Sequence, residues 1–256
     1  MKRITAVFAA VLAMGLFKAA IAAELTAEEI VKRAEDIMRG QSNIGKLTMI
    51  VTNPNFERTI TMEYWEKGQD LSLVKITSPA KEAGTVFLKV ENNMWNYIHS
   101  AEMIIDIPPS MMMNSWMGSD FTNDDLVRES SIVDDYMPFL LENSVLSEGE
   151  AYTLELTAKP DAPVVWGKIL VYVRVSDYAP LKYEYYDEKG KLMRIMTMSK
   201  IVKMGKRAYP TVWTMEPKNK KNHKTIVIVD EIKFDVPISD KIFSYSNLKR
   251  GIIPSQ

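Results

Sequence analysis

Thr59 to Thr77, TITMEYWEKGQDLSLVKIT, is the stretch whose pattern sets the fold. Ile60, Met62 and Tyr64 alternate with Thr59, Thr61 and Glu63, the period of a strand with one apolar face. Lys67-Gly68-Gln69-Asp70 then has the composition of a turn, and Leu71 to Thr77 is again apolar and β-branched, so two antiparallel strands joined by a hairpin follow. The same alternation recurs in both directions. Ser78-Pro79 ends the second strand, Gly84 opens Thr85 to Val90, Asn92-Asn93 turns the chain, and Trp95-Asn96-Tyr97 leads to a strand over 103–107. Downstream, Tyr152, Leu154 and Leu156 alternate with Thr153, Glu155 and Thr157, and Ile169 to Val175 is apolar at nearly every residue. Asp187-Glu188-Lys189-Gly190 joins Lys182–Tyr186 to Leu192–Ile201, and Lys218 to His223 returns Val212–Met215 into Thr225–Phe234. The spacing predicts about ten or eleven antiparallel strands. The fold class expected is mainly β with α (α+β): a sheet that long curls into a half-barrel, with helices and a lid loop over an apolar cavity on its concave side.

Two helical intervals interrupt this pattern. Over 25–39, Thr26 sits at an N-cap with Glu29 three residues on, Ile30, Val31, Ala34, Ile37 and Met38 line one face, and Gly40 stops the helix. Asp124 to Leu141 carries Leu126, Val127, Ile132, Val133, Phe139 and Leu140 with acidic pairs between them, which predicts one or two short helices broken by Pro138.

Residues 1–23 have the order of a secretory signal peptide: basic Lys2 and Arg3, a nearly all-apolar Ile4 to Leu16, and small residues that place cleavage near Ala22 or Ala23. The expected location is the periplasm. No later stretch reaches the roughly 20 apolar residues of a spanning helix. Residues 24–256 then form a single domain, since no linker-like low-complexity run and no repeat divides them. There is no Cys, which excludes a disulfide framework and thiolate chemistry. Removing Lys2, Arg3 and Lys18 leaves 29 basic against 33 acidic residues, a balance that argues against a nucleic-acid partner.

The candidate site is Met103 to Leu126, MIIDIPPSMMMNSWMGSDFTNDDL. Five of the 17 Met residues fall in it, just after Pro108-Pro109 ends regular strand hydrogen bonding. Met is unbranched and polarizable, so such a segment repacks around apolar partners of varying shape. Two readings stand: a loop that plugs the core, or the lid of an apolar cavity. On the second, Tyr64, Trp95, Tyr97, Met103, Ile105, Ile107, Met111, Met112, Met113, Trp116, Met117 and Phe121 are the lipid-binding or lid residues, and Gly118-Ser119-Asp120 a motif with Gly118 as hinge. Thr122, three residues before Asp125, caps the helix that follows. Enzymatic constellations are thin. The two His residues, His99 and His223, fall at a strand end and in a Lys-rich turn, and Asp124-Asp125 and Asp134-Asp135 read as first-turn acids that complement a helix dipole. No catalytic set, metal site or cofactor is expected.

Several blocks together resemble a family. Ile76-Thr77-Ser78-Pro79 with Gly84-Thr85, Trp95-Asn96-Tyr97, and above all Trp116-Met117-Gly118-Ser119-Asp120-Phe121-Thr122-Asn123-Asp124-Asp125-Leu126 are similar to the outer-membrane lipoprotein-sorting proteins, relatives of the carrier LolA. The likeness continues through Tyr185–Leu192, Tyr209-Pro210 to Met215, Ile238–Ser244 and Leu248–Gly251. It implies an open, strongly curved antiparallel sheet with helices forming a lid over an apolar cavity. It also implies carriage of lipid or lipoprotein acyl chains in the periplasm, often beside an inner-membrane export complex of the resistance-nodulation-division type. The alternative from another class is an envelope interaction or sensor module that carries nothing.

Overall fold

The computed structural model describes residues 25–128, 132–160, 162 and 164–250; the expected signal peptide lies outside them. Among the described residues the centre is one antiparallel sheet of 14 strands. In chain order these are β1 (Ser42–Asn53), β2 (Phe56–Lys67), β3 (Leu71–Ser78), β4 (Val86–Val90), β5 (Asn93–Ile98), β6 (Met103–Asp106), β7 (Tyr136–Leu140), β8 (Ser144–Leu146), β9 (Gly149–Ala158), β10 (Lys168–Arg174), β11 (Pro180–Tyr186), β12 (Leu192–Met204), β13 (Arg207–Pro217) and β14 (Lys224–Phe234). Across the sheet the order is β6-β5-β4-β3-β2-β1-β14-β13-β12-β11-β10-β9-β7, with β8 also beside β9. Two meanders are therefore sewn together by one long-range pairing, β1 on β14, in which Val51 lies opposite Thr225 and Asn43 opposite Phe234. The sheet is open and curved and does not close into a barrel.

This order has a topological consequence. β6 and β7 are the two edges, so the chain between them, described over 107–128 and 132–135, must cross the sheet from one side to the other. It crosses one face, here called the inner face, together with α1 (Ala27–Arg39). The crossing carries two short helices, α2 (Asn123–Arg128) and α3 (Ile132–Asp135).

Period-2 alternation divides the side chains of β2 to β5 between the faces. Met62, Ile76, Phe87 and Met94 point to the inner core with Met49 and Val51 of β1, while Trp65, Leu73, Leu88 and Tyr97 form a second cluster on the outer face. The chain end covers that second cluster: Ile238, Ile242, Phe243 and Leu248, the last on α4 (Tyr245–Arg250), pack over it. On the inner face α1 starts with the anticipated capping box, in which the Thr26 hydroxyl accepts from the Glu29 amide and the Glu29 carboxylate accepts from the Thr26 amide. It buries Ile30, Val31 and Ala34 against β7, β10 and β13 and ends at Gly40, whose φ of 64° is left-handed.

Two expectations are corrected. The strands number 14 instead of ten or eleven, and Tyr136–Leu140, expected within a helix, is the edge strand β7. Helical order stops at Asp135, before Pro138, because proline cannot continue a helix; it is accommodated in β7, which pairs only with β9. β8 is three residues long and escapes any periodicity argument.

The burial of α1 yields a stability contrast. Ile30→Ala is expected to lower the unfolding free energy by about 2–5 kcal/mol. Lys32→Ala, which removes an exposed pair with Asp36, should change it by less than about 0.5 kcal/mol. Urea denaturation checks this, and equal effects would mean that α1 does not seal the inner face.

Candidate binding cavity beneath the crossing segment

After β6, Ile107 still donates its amide to Met94 O, and then Pro108-Pro109 end the pairing. Residues 111–124 close on themselves as a compact surface loop: the Asp124 amide donates to Met112 O at 2.8 Å, and the Asn123 amide and side chain donate to Asn114 O and Met111 O, each at 3.0 Å. Inside this loop Trp116 N donates to Phe121 O at 2.8 Å, which sets the two rings side by side. The turn between them needs left-handed backbone at Met117 (φ 51°) and Gly118 (φ 71°), and the Ser119 hydroxyl holds it by donating to Trp116 O at 2.7 Å.

Three polar ties fix the loop to the sheet. Asp120 accepts from the buried Thr225 hydroxyl at 2.8 Å while its own amide donates to that oxygen at 2.9 Å, and His223 Nδ1 lies 3.7 Å from its carboxylate. Arg58 donates to Met117 O and pairs with Glu82 at 2.8 Å. Asp125 caps α2 through Thr122, as its spacing predicted, and also takes both guanidinium nitrogens of Arg194, one at 2.7 Å. Arg194 in turn lies over the rings of Trp166 and Tyr185, 4.5 and 4.3 Å from their centroids.

Beneath Trp116 and Phe121 lies a cavity of about 170 Å³. Its walls come from both limbs of the sheet, Met62, Val74 and Phe87 on one and Tyr183, Met198 and Trp213 on the other, which requires the sheet to bend toward its inner face. Phe87 meets Trp116 edge to face across the space, with ring centroids 5.3 Å apart. Tyr64 also lines it, and its register partner is Gly45. A Cβ at Gly45 would sit 2.5 Å from Tyr64 Cε1, so only glycine lets that ring lie down along the wall. Burial pushes the Tyr64 hydroxyl far above its ordinary range, so it stays a neutral phenol.

One end of the cavity is polar. Asn43, Glu66, Ser72 and Lys89 are successive register partners across β1, β2, β3 and β4, and all four line the space. Asn43 Nδ2 donates to Glu66 at 2.9 Å and to the Arg39 carbonyl at 3.0 Å, and Lys89 Nζ donates to Gln69 O at 2.7 Å. From α1, Glu35 reaches the same cavity. Burial raises its pKa from the ordinary 4.5 to about 7; Asp134 and Asp36 push the same way, and Arg39 and Lys32 oppose them. Below pH 4.5 both folded and unfolded chains hold the proton. Between 4.5 and 7 the unfolded chain ionises first, so this group makes stability fall as pH rises, and above 7 the full cost is present. Glu35→Gln is therefore expected to raise stability above pH 7 by about 1–3 kcal/mol and to leave it unchanged near pH 4. Denaturant titrations at the two pH values check this; parallel profiles for both proteins would contradict it.

The structure distributes the sequence-predicted residues unevenly. Tyr64, Trp116 and Phe121 line the cavity, Ile107 and Met112 are buried beside it, and Ile105 and Met117 pack partly against the same core. Trp95 and Tyr97 are elsewhere: odd positions of β5 face outward, and both pack in the cluster covered by the chain end. Met103, Met111 and Met113 are exposed on the surface. Gly118, Ser119 and Asp120 form the turn and tie of the crossing loop rather than wall. Sequence reasoning missed the polar row, Arg194, Thr225 and the proximity of His223 to Asp120. The row had a readable signal, since Glu66, Ser72 and Lys89 continue the inner-face parity of Tyr64, Val74 and Phe87. His99 lies in a short turn against Gly84, far in sequence from any second catalytic group.

Comparison with known proteins supplies the family. A family model described as “Uncharacterized protein” (“-like”) matches residues 68–250. Among solved structures, a DUF1329 family protein from Desulfovibrio piger is 22% identical over 87% of this chain and 97% of its own, with a TM-score of 0.80. An outer-membrane lipoprotein-sorting protein domain from Vibrio parahaemolyticus is 21% identical over 88% and 98%, with a TM-score of 0.77. A LolA superfamily protein from Nitrosomonas europaea is 26% identical over 88% and 100%, with a TM-score of 0.74. No curated protein sequence matches. With the family model covering well over half of its length, the chain belongs to the family of uncharacterized proteins which that model describes, and it shares the LolA-like fold of outer-membrane lipoprotein-sorting proteins.

Proposed function

We propose that this protein is a non-enzymatic periplasmic carrier that binds acyl chains of lipid or lipoprotein in the inner-face cavity for transfer toward the outer membrane. The observation that carries the reading is the apolar space of about 170 Å³ held open under Trp116 and Phe121 on a LolA-like sheet. Each methylene placed there contributes about 0.8 kcal/mol of binding.

The space is small for a whole acyl chain, because a cavity of about 150 Å³ holds a molecule of benzene size. Entry of a long chain therefore requires Trp116 and Phe121 to swing away, with the Met111 to Phe121 segment as a lid and Gly118 as its hinge. The tie of Asp125 to Arg194 holds the C-terminal root of that lid while its Met residues repack, and the tie of Asp120 to Thr225 has to open as it moves. The partner proposed alongside the carrier is an inner-membrane complex of the resistance-nodulation-division type, as the family likeness implies.

Native mass spectrometry of protein exported to and purified from the periplasm tests the reading. Adducts of lipid mass, released on denaturation, are expected, and Val74→Phe, which fills the cavity, should reduce them several-fold without unfolding the sheet. A clean unliganded mass for the native protein under gentle conditions would instead favour an envelope interaction module, to be pursued by crosslinking.

A further inference from the structure

The cavity is not uniformly apolar, and the placement of its polar groups bears on which acyl compounds fit. The polar row and Glu35 occupy one end, whereas the next register row along the same strands is Tyr64, Val74 and Phe87. A head-and-chain polarity is thus written across adjacent strands. The acceptors at that end are incompletely used. Asn43 is 2% exposed, and its amide orientation is fixed because Nδ2 donates to two acceptors, Arg39 O and Glu66. Its Oδ1 is left buried with no hydrogen bond, and so is Glu35 Oε1. Buried acceptors without donors cost about 1–3 kcal/mol each.

We infer that this end of the cavity is a head subsite that accepts the hydrogen-bond donor of a neutral amphiphile, an amide N–H or a hydroxyl, with the acyl or alkyl chain running toward Phe87 and Trp116. The inference rests on the carrier reading and narrows it. A cationic head is disfavoured by Lys89 and by Arg39, both at the cavity wall, and an anionic head by Glu66. A neutral donor satisfies Asn43 Oδ1 and Glu35 Oε1 without adding charge to a buried site. The N-acylated end of a lipoprotein and a glyceride both offer such a donor, the first as an amide and the second as a hydroxyl.

Competition of dodecanamide, dodecanol and dodecyl methyl ether against bound N-phenylnaphthylamine, followed by dye fluorescence, tests it. The ether matches the chain but lacks the donor, so the native protein is expected to bind it about tenfold more weakly than the better of the other two. Glu35→Met should bring the three within about threefold, and Glu35→Gln, which retains a carbonyl oxygen, should keep the discrimination. The ranking of amide against alcohol assigns the head chemistry. Equal competition by all three in the native protein would overturn the head subsite and leave the carrier reading standing. Discrimination unchanged in Glu35→Met would overturn it too, by placing the head elsewhere. Failure of all three to compete would overturn both readings.

Discussion

Because β6 and β7 are opposite edges of one open sheet, the chain between them has to traverse an entire face, and the rest of the molecule is arranged around that crossing. A segment lying over a bent apolar sheet must itself be apolar on its underside, yet it cannot pair with the strands below without disrupting their ladder. Ile107, Met112, Trp116 and Phe121 meet the first demand. Pro108-Pro109 and the self-closed loop at 111–124 meet the second, since the backbone groups of the loop bond to one another. Position along the crossing is then fixed by polar ties. The Asp125–Arg194 pair is buried, with both side chains nearly inaccessible, and such pairs set geometry more reliably than they add stability. The contact of Arg194 with the rings of Trp166 and Tyr185 ties the crossing to the second meander, just as Arg58 ties it to the first.

A curved sheet covered by a narrow strap does not fill by itself. The strap and α1 cover only part of the inner face, and the side chains between them leave an unfilled space lined by both limbs. The fold therefore supplies the cavity as a geometric remainder, and the sequence decides its character. Apolar residues at inner-face positions of β2, β3, β12 and β13 make most of it oily, and the row from Asn43 to Lys89 makes one end polar.

Much of the fold was legible in the sequence because its signals are local. Alternation over Thr59–Glu63, turn chemistry at Lys67–Asp70 and Asp187–Gly190, and the Thr26/Glu29 box are each decided within a few residues. What was not legible is long-range. Arg194 and Asp125 are 69 positions apart, and Thr225 and Asp120 are 105 apart, so nothing nearby marks either as a partner. β7 was misread because its apolar residues follow acidic ones in a helix-like spacing, and the edge position that tolerates Pro138 is a property of the sheet. Of the aromatic site candidates, parity would have separated Trp95 and Tyr97 from Tyr64: counting inner-face positions from Phe87 through the Asn92-Asn93 turn puts Met94 and Asn96 inside and both rings outside. The Met cluster lies in the segment that crosses the inner face, and three of its members face solvent, because a strap one loop thick has an outer side as well.

The central claim, that acyl chains lie against the inner face, is tested most directly by photocrosslinking with a fatty acid carrying a diazirine near the middle of its chain, followed by peptide mapping. The account predicts labelling of inner-face residues from both limbs, Met62, Phe87 and Met198 among them, together with Trp116 of the crossing. Labelling confined to the outer-face cluster around Trp95 and Tyr97, or to the exposed Phe139 edge, would contradict it.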